Sequence, residues 1–181
     1  MCGIVGYIGD RDITSILLVG LERLSYRGYD SAGISVISNG ELSTWRQPGK
    51  LRELNKVLDP LSINGHIGIG HTRWATHGIP NEKNAHPQYS TDKKIAIVHN
   101  GIIENYAPLK ETLIKKGYLF RSETDTEVII HLIDDYFENN LYTAVKNALK
   151  EINGNYAIVA IAEQDPDAMI IARKGSPLII G

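Results

Sequence analysis

The sequence predicts a single domain in which short β-strands alternate with α-helices. Its 181 residues are 43% hydrophobic, which is enough for one core of ordinary size. Apolar residues recur at helical spacing in some segments and form short strand-like runs in others. The chain contains no internal repeat, low-complexity tract or interdomain linker. We therefore expect one domain of mixed α and β structure.

The first half of the chain predicts two helices among five strands. A buried strand at Cys2–Ile8 ends at Gly9, and Asp12 can cap the helix that follows. Asn39-Gly40 lies between two strand-like runs and is a strong signal for a hairpin. The two helices are predicted over residues 13–24 and 51–58. The remaining strands are predicted over 33–37, 41–47, 67–72 and 94–100.

The second half predicts three helices followed by paired strands. Thr124 and Glu127 form a capping-box pattern at the start of the second helix. An apolar run at Leu178–Ile180 resembles the start of a further strand, which would need a partner, so we expect the chain to be a fragment of a longer protein. The helices are predicted over residues 104–116, 125–139 and 142–151, and the paired strands over 155–162 and 168–173.

Composition and charge exclude several classes of function. Lys and Arg total 19 and Asp and Glu total 21, a formal net charge of −2, and no basic run indicates a nucleic-acid surface. The single cysteine rules out an internal disulfide framework and agrees with a reducing compartment. No segment has the pattern of a signal peptide or a membrane span. We expect a soluble cytoplasmic protein that binds neither nucleic acid nor membranes.

The position of that cysteine, Cys2, directly after Met1, carries chemical information. A thiol attacks as its thiolate, and its unperturbed pKa is about 8.5. Removal of Met1 would give Cys2 a free α-amine with a pKa of about 7.7–8.0, which could accept the thiol proton. One residue would then supply both nucleophile and base. The alternative is that Cys2 is an ordinary small hydrophobic residue of the first strand.

Five polar clusters lie at the predicted strand ends and loops, at residues 26–33, 71–78, 84–87, 98–101 and 123–127. In this order behind the segment Cys2–Gly6, they resemble the glutaminase domain of the class II glutamine amidotransferases, which use an N-terminal nucleophile. One cluster alone would be a weak match, whereas the full set covers nearly the whole chain. The clusters are closest to those of the members that aminate a sugar phosphate.

The resemblance implies a fold, a reaction and a set of partners. The fold would be α+β, a four-layer αββα sandwich, with residues 1–181 forming a glutaminase domain that is truncated at its C-terminal end. L-Glutamine would be hydrolysed to glutamate and ammonia through a Cys2 γ-glutamyl thioester, without a cofactor. In the full-length enzyme, a homodimer, the ammonia would convert fructose 6-phosphate to glucosamine 6-phosphate in sugar-phosphate isomerase domains that this chain lacks.

The pair Asn100-Gly101 has two interpretations. Acyl transfer creates an oxyanion, and an Asn amide together with a Gly backbone N–H can form the hole that stabilises it. The resemblance places Asn100 and Gly101 in that role. Taken alone, an Asn-Gly pair more often forms a tight turn after a strand.

Glutamine presents an α-carboxylate and an α-ammonium, which require a cation and an anion. The resemblance assigns the carboxylate to Arg73, whose planar guanidinium suits it, and the ammonium to Asp125. It also places Thr76 and His77 in the glutamine pocket and Trp74 beside the ammonia passage. Taken alone, Arg73 would be a surface charge, Asp125 a first-turn helix residue and Trp74 part of the core.

Other residues are expected to shape the site without reacting. His86 would support its loop through hydrogen bonds, and Arg27 would form part of the wall beside Cys2. The glycine-rich run 65–70 lacks the spacing of a dinucleotide fingerprint. We also expect no metal, because no carboxylate or cysteine ligand set accompanies the candidate histidines: His71, His77, His86 and His99.

Two other functions remain open on the sequence. An enzyme with an N-terminal nucleophile could hydrolyse a different amide, although the pair of Arg73 and Asp125 matches a free amino acid. An inert binding module could keep the fold, although Cys2, Asn100 and Asp125 are all present. Glutamine turnover, measured beside the intact mass of the protein, would separate these possibilities.

Overall fold

The computed structural model describes residues 2–74 and 78–181, which form two four-stranded antiparallel sheets. The first sheet has the order β1-β4-β2-β3, and the second has the order β5-β6-β7-β8. The strands of the first sheet are β1 (Gly3–Ile8), β2 (Ser31–Ser38), β3 (Glu41–Pro48) and β4 (Ile67–Arg73). Those of the second are β5 (Gln88–Tyr89), β6 (Ile95–Ile103), β7 (Gly154–Ala162) and β8 (Asp165–Lys174).

Helices cover the outer face of each sheet, so the molecule has four layers. Helices α1 (Ile13–Leu24) and α2 (Leu51–Leu58) share a buried apolar cluster with the first sheet. A second cluster joins the other sheet to its helices, which are α3 (Tyr106–Lys115), α4 (Thr126–Asp135) and α5 (Leu141–Glu151). This arrangement confirms the predicted α+β fold with αββα layers.

A third apolar cluster fills the space between the sheets. Alternate residues of β4 face it, including Ile67 and Ile69, and Val98 of β6 meets them from the other sheet. The intervening glycines of β4 face α1 instead. A Cβ added to Gly68 would lie 2.9 Å from the Cδ1 atom of Ile13, so the glycine-rich run lets the helix approach the sheet closely.

Two local signals in the sequence are confirmed. The Asp12 carboxylate accepts hydrogen bonds from the backbone N–H groups of Thr14 and Ser15 at 3.2 and 3.4 Å, so it caps α1. Asn39 and Gly40 have φ angles of 52° and 80°, the left-handed values that a tight hairpin turn between β2 and β3 requires.

The predicted capping box of α4 is wrong. Asp125 is the N-cap residue, and the Glu127 carboxylate turns away to bind the loop before the helix. It accepts hydrogen bonds from the backbone N–H groups of Arg121 and Ser122 at 2.7 and 2.6 Å. Two backbone N–H groups and the Ser122 hydroxyl of that loop bind Glu127, whereas a capping box would offer it a single donor.

Other elements also differ from prediction. Helix α4 ends at Asp135 rather than at residue 139, where Asn139 has a left-handed φ of 61°. The predicted strand at 178–180 is absent from the described chain, and Ile179 is 94% exposed because no neighbouring strand pairs with it. The two-residue strand β5 gave no pattern in the sequence. Among the described residues, no helix is long and apolar enough to span a membrane.

Candidate active site

A cavity of about 1290 Å³ opens where the ends of β1, β4 and β6 meet. Strands of both sheets line it, and its walls carry apolar as well as polar side chains. It brings together the predicted site residues that the structure describes in full: Cys2, Arg73, Trp74, His86, Asn100, Gly101 and Asp125. The predicted residues Thr76 and His77, and the side chain of Arg27, lie outside the described part of the chain.

Strand pairing places Cys2 at the mouth of the cavity. β1 runs antiparallel to β4, with Gly3 opposite Thr72, so Cys2 falls beside the end of β4. The backbone N–H of Trp74 donates a hydrogen bond to the Cys2 Sγ atom at 3.2 Å. The thiol in turn lies 3.7 Å from the Trp74 carbonyl oxygen, to which it can donate. Cys2 is partly exposed, so it is not a packed core residue.

Asn100 reaches Cys2 from the second sheet. Its Nδ2 group donates to the backbone carbonyl of Cys2 at 3.3 Å, and its Oδ1 atom lies 2.8 Å from Nε2 of His71. The turn interpretation of Asn100-Gly101 is wrong, since β6 continues through both residues to Ile103. Pairing with β7 across nine positions overrides the local turn preference of the dipeptide.

Gly101 occupies a backbone position that other residues cannot adopt easily. Its φ is +140°, in the region that favours glycine. A Cβ added there would lie 2.0 Å from the backbone oxygen of Asn155 on β7. The glycine therefore lets the strand pass the cavity with its backbone close to the neighbouring strand.

Arg73 and Asp125 give the cavity a cation and an anion. Arg73 is only 5% exposed, so its interpretation as a surface charge is wrong. Burial lowers the pKa of its guanidinium, while the nearby carboxylates of Asp30 and Asp125 oppose this shift. The Asp125 carboxylate accepts a hydrogen bond from the backbone N–H of Ile103 at 2.8 Å, which holds it at the end of β6.

Trp74 lies at the rim of the cavity and is 51% exposed, so its interpretation as a core residue is also wrong. Its indole packs against the backbone at Gly28. A Cβ added to Gly28 would lie 2.3 Å from the indole Cζ3 atom, and the φ of Gly28 is +81°. Gly28 is thus required both for its conformation and for the close approach of the ring.

Three buried histidines form the floor of the cavity. His86 Nε2 and His99 Nδ1 each lie 2.9 Å from the Thr126 hydroxyl, and the rings of His71 and His86 are 4.5 Å apart. Burial lowers the pKa of His71 and of His99 to about 4 and that of His86 well below its usual value. The floor is therefore neutral at physiological pH. Within the described residues, no cluster of His, Cys, Asp and Glu could hold a metal.

Sequence reasoning missed how His71 and Thr126 connect to the site. One available signal was spacing, since His71 and Arg73 are two residues apart and so share a strand face.

Sequence reasoning also missed a reciprocal pair of hydrogen bonds beside Asp125. The Asn84 amide Nδ2 donates to the Glu123 carboxylate at 3.0 Å, and the Glu123 backbone N–H donates to Asn84 Oδ1 at 2.9 Å.

Two stacked sheets between helical layers, with Cys2 leading into β1, are the architecture of the N-terminal-nucleophile hydrolases. The chain belongs to the glutamine amidotransferase domain family, whose model matches residues 71–179.

Curated relatives match the chain over its whole length. A glutamine–fructose-6-phosphate aminotransferase (isomerizing) of Caldanaerobacter subterraneus is 51% identical over 181 residues, which are 100% of this chain and 30% of that protein. The enzyme of the same name from Bacteroides thetaiotaomicron is 54% identical over 185 residues, again with 30% of the relative covered. The chain thus spans about a third of the length of these relatives.

Solved structures agree with this assignment. A glutamine phosphoribosylpyrophosphate amidotransferase from Bacillus subtilis superposes with a TM-score of 0.81 at 29% identity, covering 96% of this chain and 37% of that one. A class-II glutamine aminotransferase domain protein from Silicibacter pomeroyi has a TM-score of 0.60 at 13% identity, covering 90% of this chain and 73% of that one. The latter likeness shows the fold alone.

Proposed function

We propose that this chain hydrolyses L-glutamine to glutamate and ammonia, with Cys2 as the nucleophile. The observation that carries the proposal is one cavity that holds a thiol, an amide donor and both charges needed for a free amino acid: Cys2, Asn100, Arg73 and Asp125. Family membership supports the same reaction.

The proposed base is the α-amine of Cys2, which removal of Met1 would free. This amine accepts the thiol proton, and the thiolate attacks the side-chain amide carbon of glutamine. The carbonyl electron pair moves to oxygen and forms the tetrahedral oxyanion. When the pair returns, the C–N bond breaks, and the amine proton leaves with the nitrogen as ammonia. Water then hydrolyses the γ-glutamyl thioester and releases glutamate.

We assign stabilisation of the oxyanion to Asn100 and Gly101. The Asn100 Nδ2 group donates to the backbone carbonyl of the nucleophilic residue at 3.3 Å. An amide nitrogen carries two N–H donors, so the other one would serve the substrate oxygen. The constrained backbone at Gly101 would provide the second donor. Donors that are aimed before the charge develops lower the barrier without reorganisation.

Substrate recognition is assigned to the charged pair. Arg73 would bind the α-carboxylate of glutamine, and the Asp125 carboxylate, anchored by the Ile103 N–H, would bind the α-ammonium. Thr76, His77 and Trp74 would complete the pocket, the last of them beside the path of ammonia. His86, hydrogen bonded to Thr126, and Arg27 would support the walls.

Substrate analogues distinguish an enzyme specific for glutamine from one that hydrolyses a different amide. The enzyme should release glutamate and ammonia from L-glutamine in equal amounts. Glutaramic acid lacks the α-ammonium, and glutamine amide lacks the free α-carboxylate. Each should lose about 10–100-fold in kcat/KM, because each analogue lacks one of the two charged groups that Arg73 and Asp125 are proposed to bind. Equal turnover of all three compounds would favour a nucleophile enzyme of another specificity.

We further propose that a sugar-phosphate isomerase domain of a longer, homodimeric protein uses the ammonia to convert fructose 6-phosphate to glucosamine 6-phosphate. The names and lengths of the relatives support the second reaction in a further domain, whereas the homodimer is carried over from the family resemblance alone. The isolated 181-residue chain should therefore release ammonia but should not form glucosamine 6-phosphate when fructose 6-phosphate is added. Formation of the amino sugar by this chain alone would contradict the assignment of the two reactions to separate domains.

A further inference from the structure

The Asn100 amide contacts His71, a residue outside the predicted catalytic set. An Asn side chain can turn over and exchange its oxygen and nitrogen, and only one orientation places a donor toward Cys2. The Cys2 carbonyl oxygen is an acceptor and therefore selects Nδ2. Oδ1 then faces Nε2 of His71 at 2.8 Å, which requires that Nε2 carries a proton.

The surroundings of His71 hold its ring in this contact. His71 lies on β4, is 1% exposed, and its ring packs against that of His86, tilted by 30° with centroids 4.5 Å apart. His86 is itself fixed by its bond to the Thr126 hydroxyl. Because burial keeps the pKa of His71 at about 4, the ring stays neutral and carries one proton at neutral pH.

We propose that His71 is a positioning residue that holds the Asn100 amide with its Nδ2–H toward Cys2, so that the oxyanion donor is aimed before glutamine binds. The proposal rests on the proposed glutaminase function. A donor at Oδ1 also polarises the amide and strengthens Nδ2–H as a donor, since hydrogen bonds in series reinforce one another. The effect proposed for His71 is exerted through Asn100, the residue that its Nε2 atom contacts.

Two substitutions at this position separate hydrogen bonding from packing. His71→Gln keeps an N–H donor at about the reach of Nε2, whereas His71→Leu keeps bulk but removes the donor. We expect His71→Leu to lower kcat for glutamine by about 10–100-fold with little change in KM, and His71→Gln to restore most of the loss. A KM effect without a kcat effect, or equal activity of both variants and the wild type, would overturn the proposal.

Two thiol-directed reagents, one that forms an oxyanion and one that does not, show whether the effect of His71 is on the oxyanion. The aldehyde analogue of glutamine adds to the Cys2 thiolate, forming a C–S bond while the carbonyl electron pair moves to oxygen, so it creates the oxyanion without breaking a bond. His71→Leu should weaken this inhibitor as much as it lowers kcat. Iodoacetamide alkylates the thiolate by displacing iodide and forms no oxyanion, so its rate should not change. Equal losses for both reagents would mean that His71 acts on the thiol, against the proposal.

The tautomer of His71 can be measured without any activity, which separates failure of this proposal from failure of the proposed function. In a long-range ¹H–¹⁵N spectrum of the folded protein, the Nε2 atom of His71 should be the protonated nitrogen. A proton on Nδ1, directed toward the backbone of His99, would overturn the proposal even if glutamine is hydrolysed. If glutamine is not hydrolysed but Nε2 is protonated, the proposed function fails while the positioning contact stands.

Discussion

The space between the two sheets has an apolar half and a polar half, although the same strands form both. In β4, Ile69 faces this space and His71 follows two residues later on the same side. In β6, Val98 is followed in the same way by Asn100. The apolar half stabilises the stacking of the sheets. That stacking sets the distance between His71 and Asn100, which belong to different sheets. The residues that hold the sheets together and the residues proposed to act in catalysis are thus neighbours in one layer.

After loss of the nucleophile itself, the largest effect should come from the polar half. Asn100→Ala removes the proposed oxyanion donor, so kcat should fall by about 10²–10³-fold, or about 2.7–4 kcal/mol, with a smaller change in KM. Steady-state glutamine kinetics measure both constants. A rise in KM with unchanged kcat would instead assign Asn100 to substrate binding.

A somewhat smaller effect is expected for the charged pair. Arg73→Ala and Asp125→Ala should each raise KM by an amount worth about 1.5–3 kcal/mol, because each removes a charged partner of the substrate. Thermal unfolding of both variants serves as the control for folding. If either variant lost kcat while KM stayed unchanged, the roles assigned to the charged pair and to Asn100 would have to be exchanged.

The buried histidines of the polar half should make the stability of the folded protein depend on pH. Their pKa values are lower in the folded protein than the usual 6.5, so only the unfolded chain takes up their protons as the pH falls below that value. Stability should be full above about pH 6.5. Toward pH 5 it should fall by about 1.4 kcal/mol per pH unit for each such histidine.

Urea unfolding at about pH 7, 6 and 5 measures this slope. Glu127 and Asp12, whose pKa values are lowered, contribute only below their unfolded values of 4.5 and 3.8, outside this range. His71→Gln removes one of the three groups and should reduce the slope by about a third. A stability that does not change between pH 7 and 5 would mean that the histidines are protonated when folded.

The smallest effect should come from a mild change in the apolar half. Ile69→Val removes one buried methylene and should lower the free energy of unfolding by about 0.5–1.5 kcal/mol. The kinetic constants for glutamine should stay the same, since the register between β4 and β6 is kept. A large fall in kcat from this change would show that the two halves are more tightly coupled than we propose.

Local signals in the sequence predicted those parts of the fold that local interactions determine. Asn39-Gly40 produces the hairpin turn and Asp12 caps α1, because both act within a few residues. Asn100 behaved differently: its dipeptide favours a turn, but pairing of β6 with β7 keeps it in a strand.

The connection between His71 and Asn100 could not be predicted for a related reason. The two residues are 29 positions apart and meet only because the sheets stack. Spacing indicates that His71 faces the same side as Arg73, but no feature of the sequence indicates which residue of the other sheet lies opposite. The resemblance to a family supplied the proposed site residues, whereas the supporting contacts came from the structure.

The most direct test of the account is glutamate release by the wild type and by Cys2→Ala, with intact masses to establish whether Met1 has been removed. Cys2 is the only cysteine of the chain, so no second thiol can replace it. We predict that the wild type without Met1 releases glutamate from glutamine, and that Cys2→Ala folds normally but releases none above the uncatalysed rate. Substantial glutamate release by Cys2→Ala would contradict the central claim that this thiol is the nucleophile.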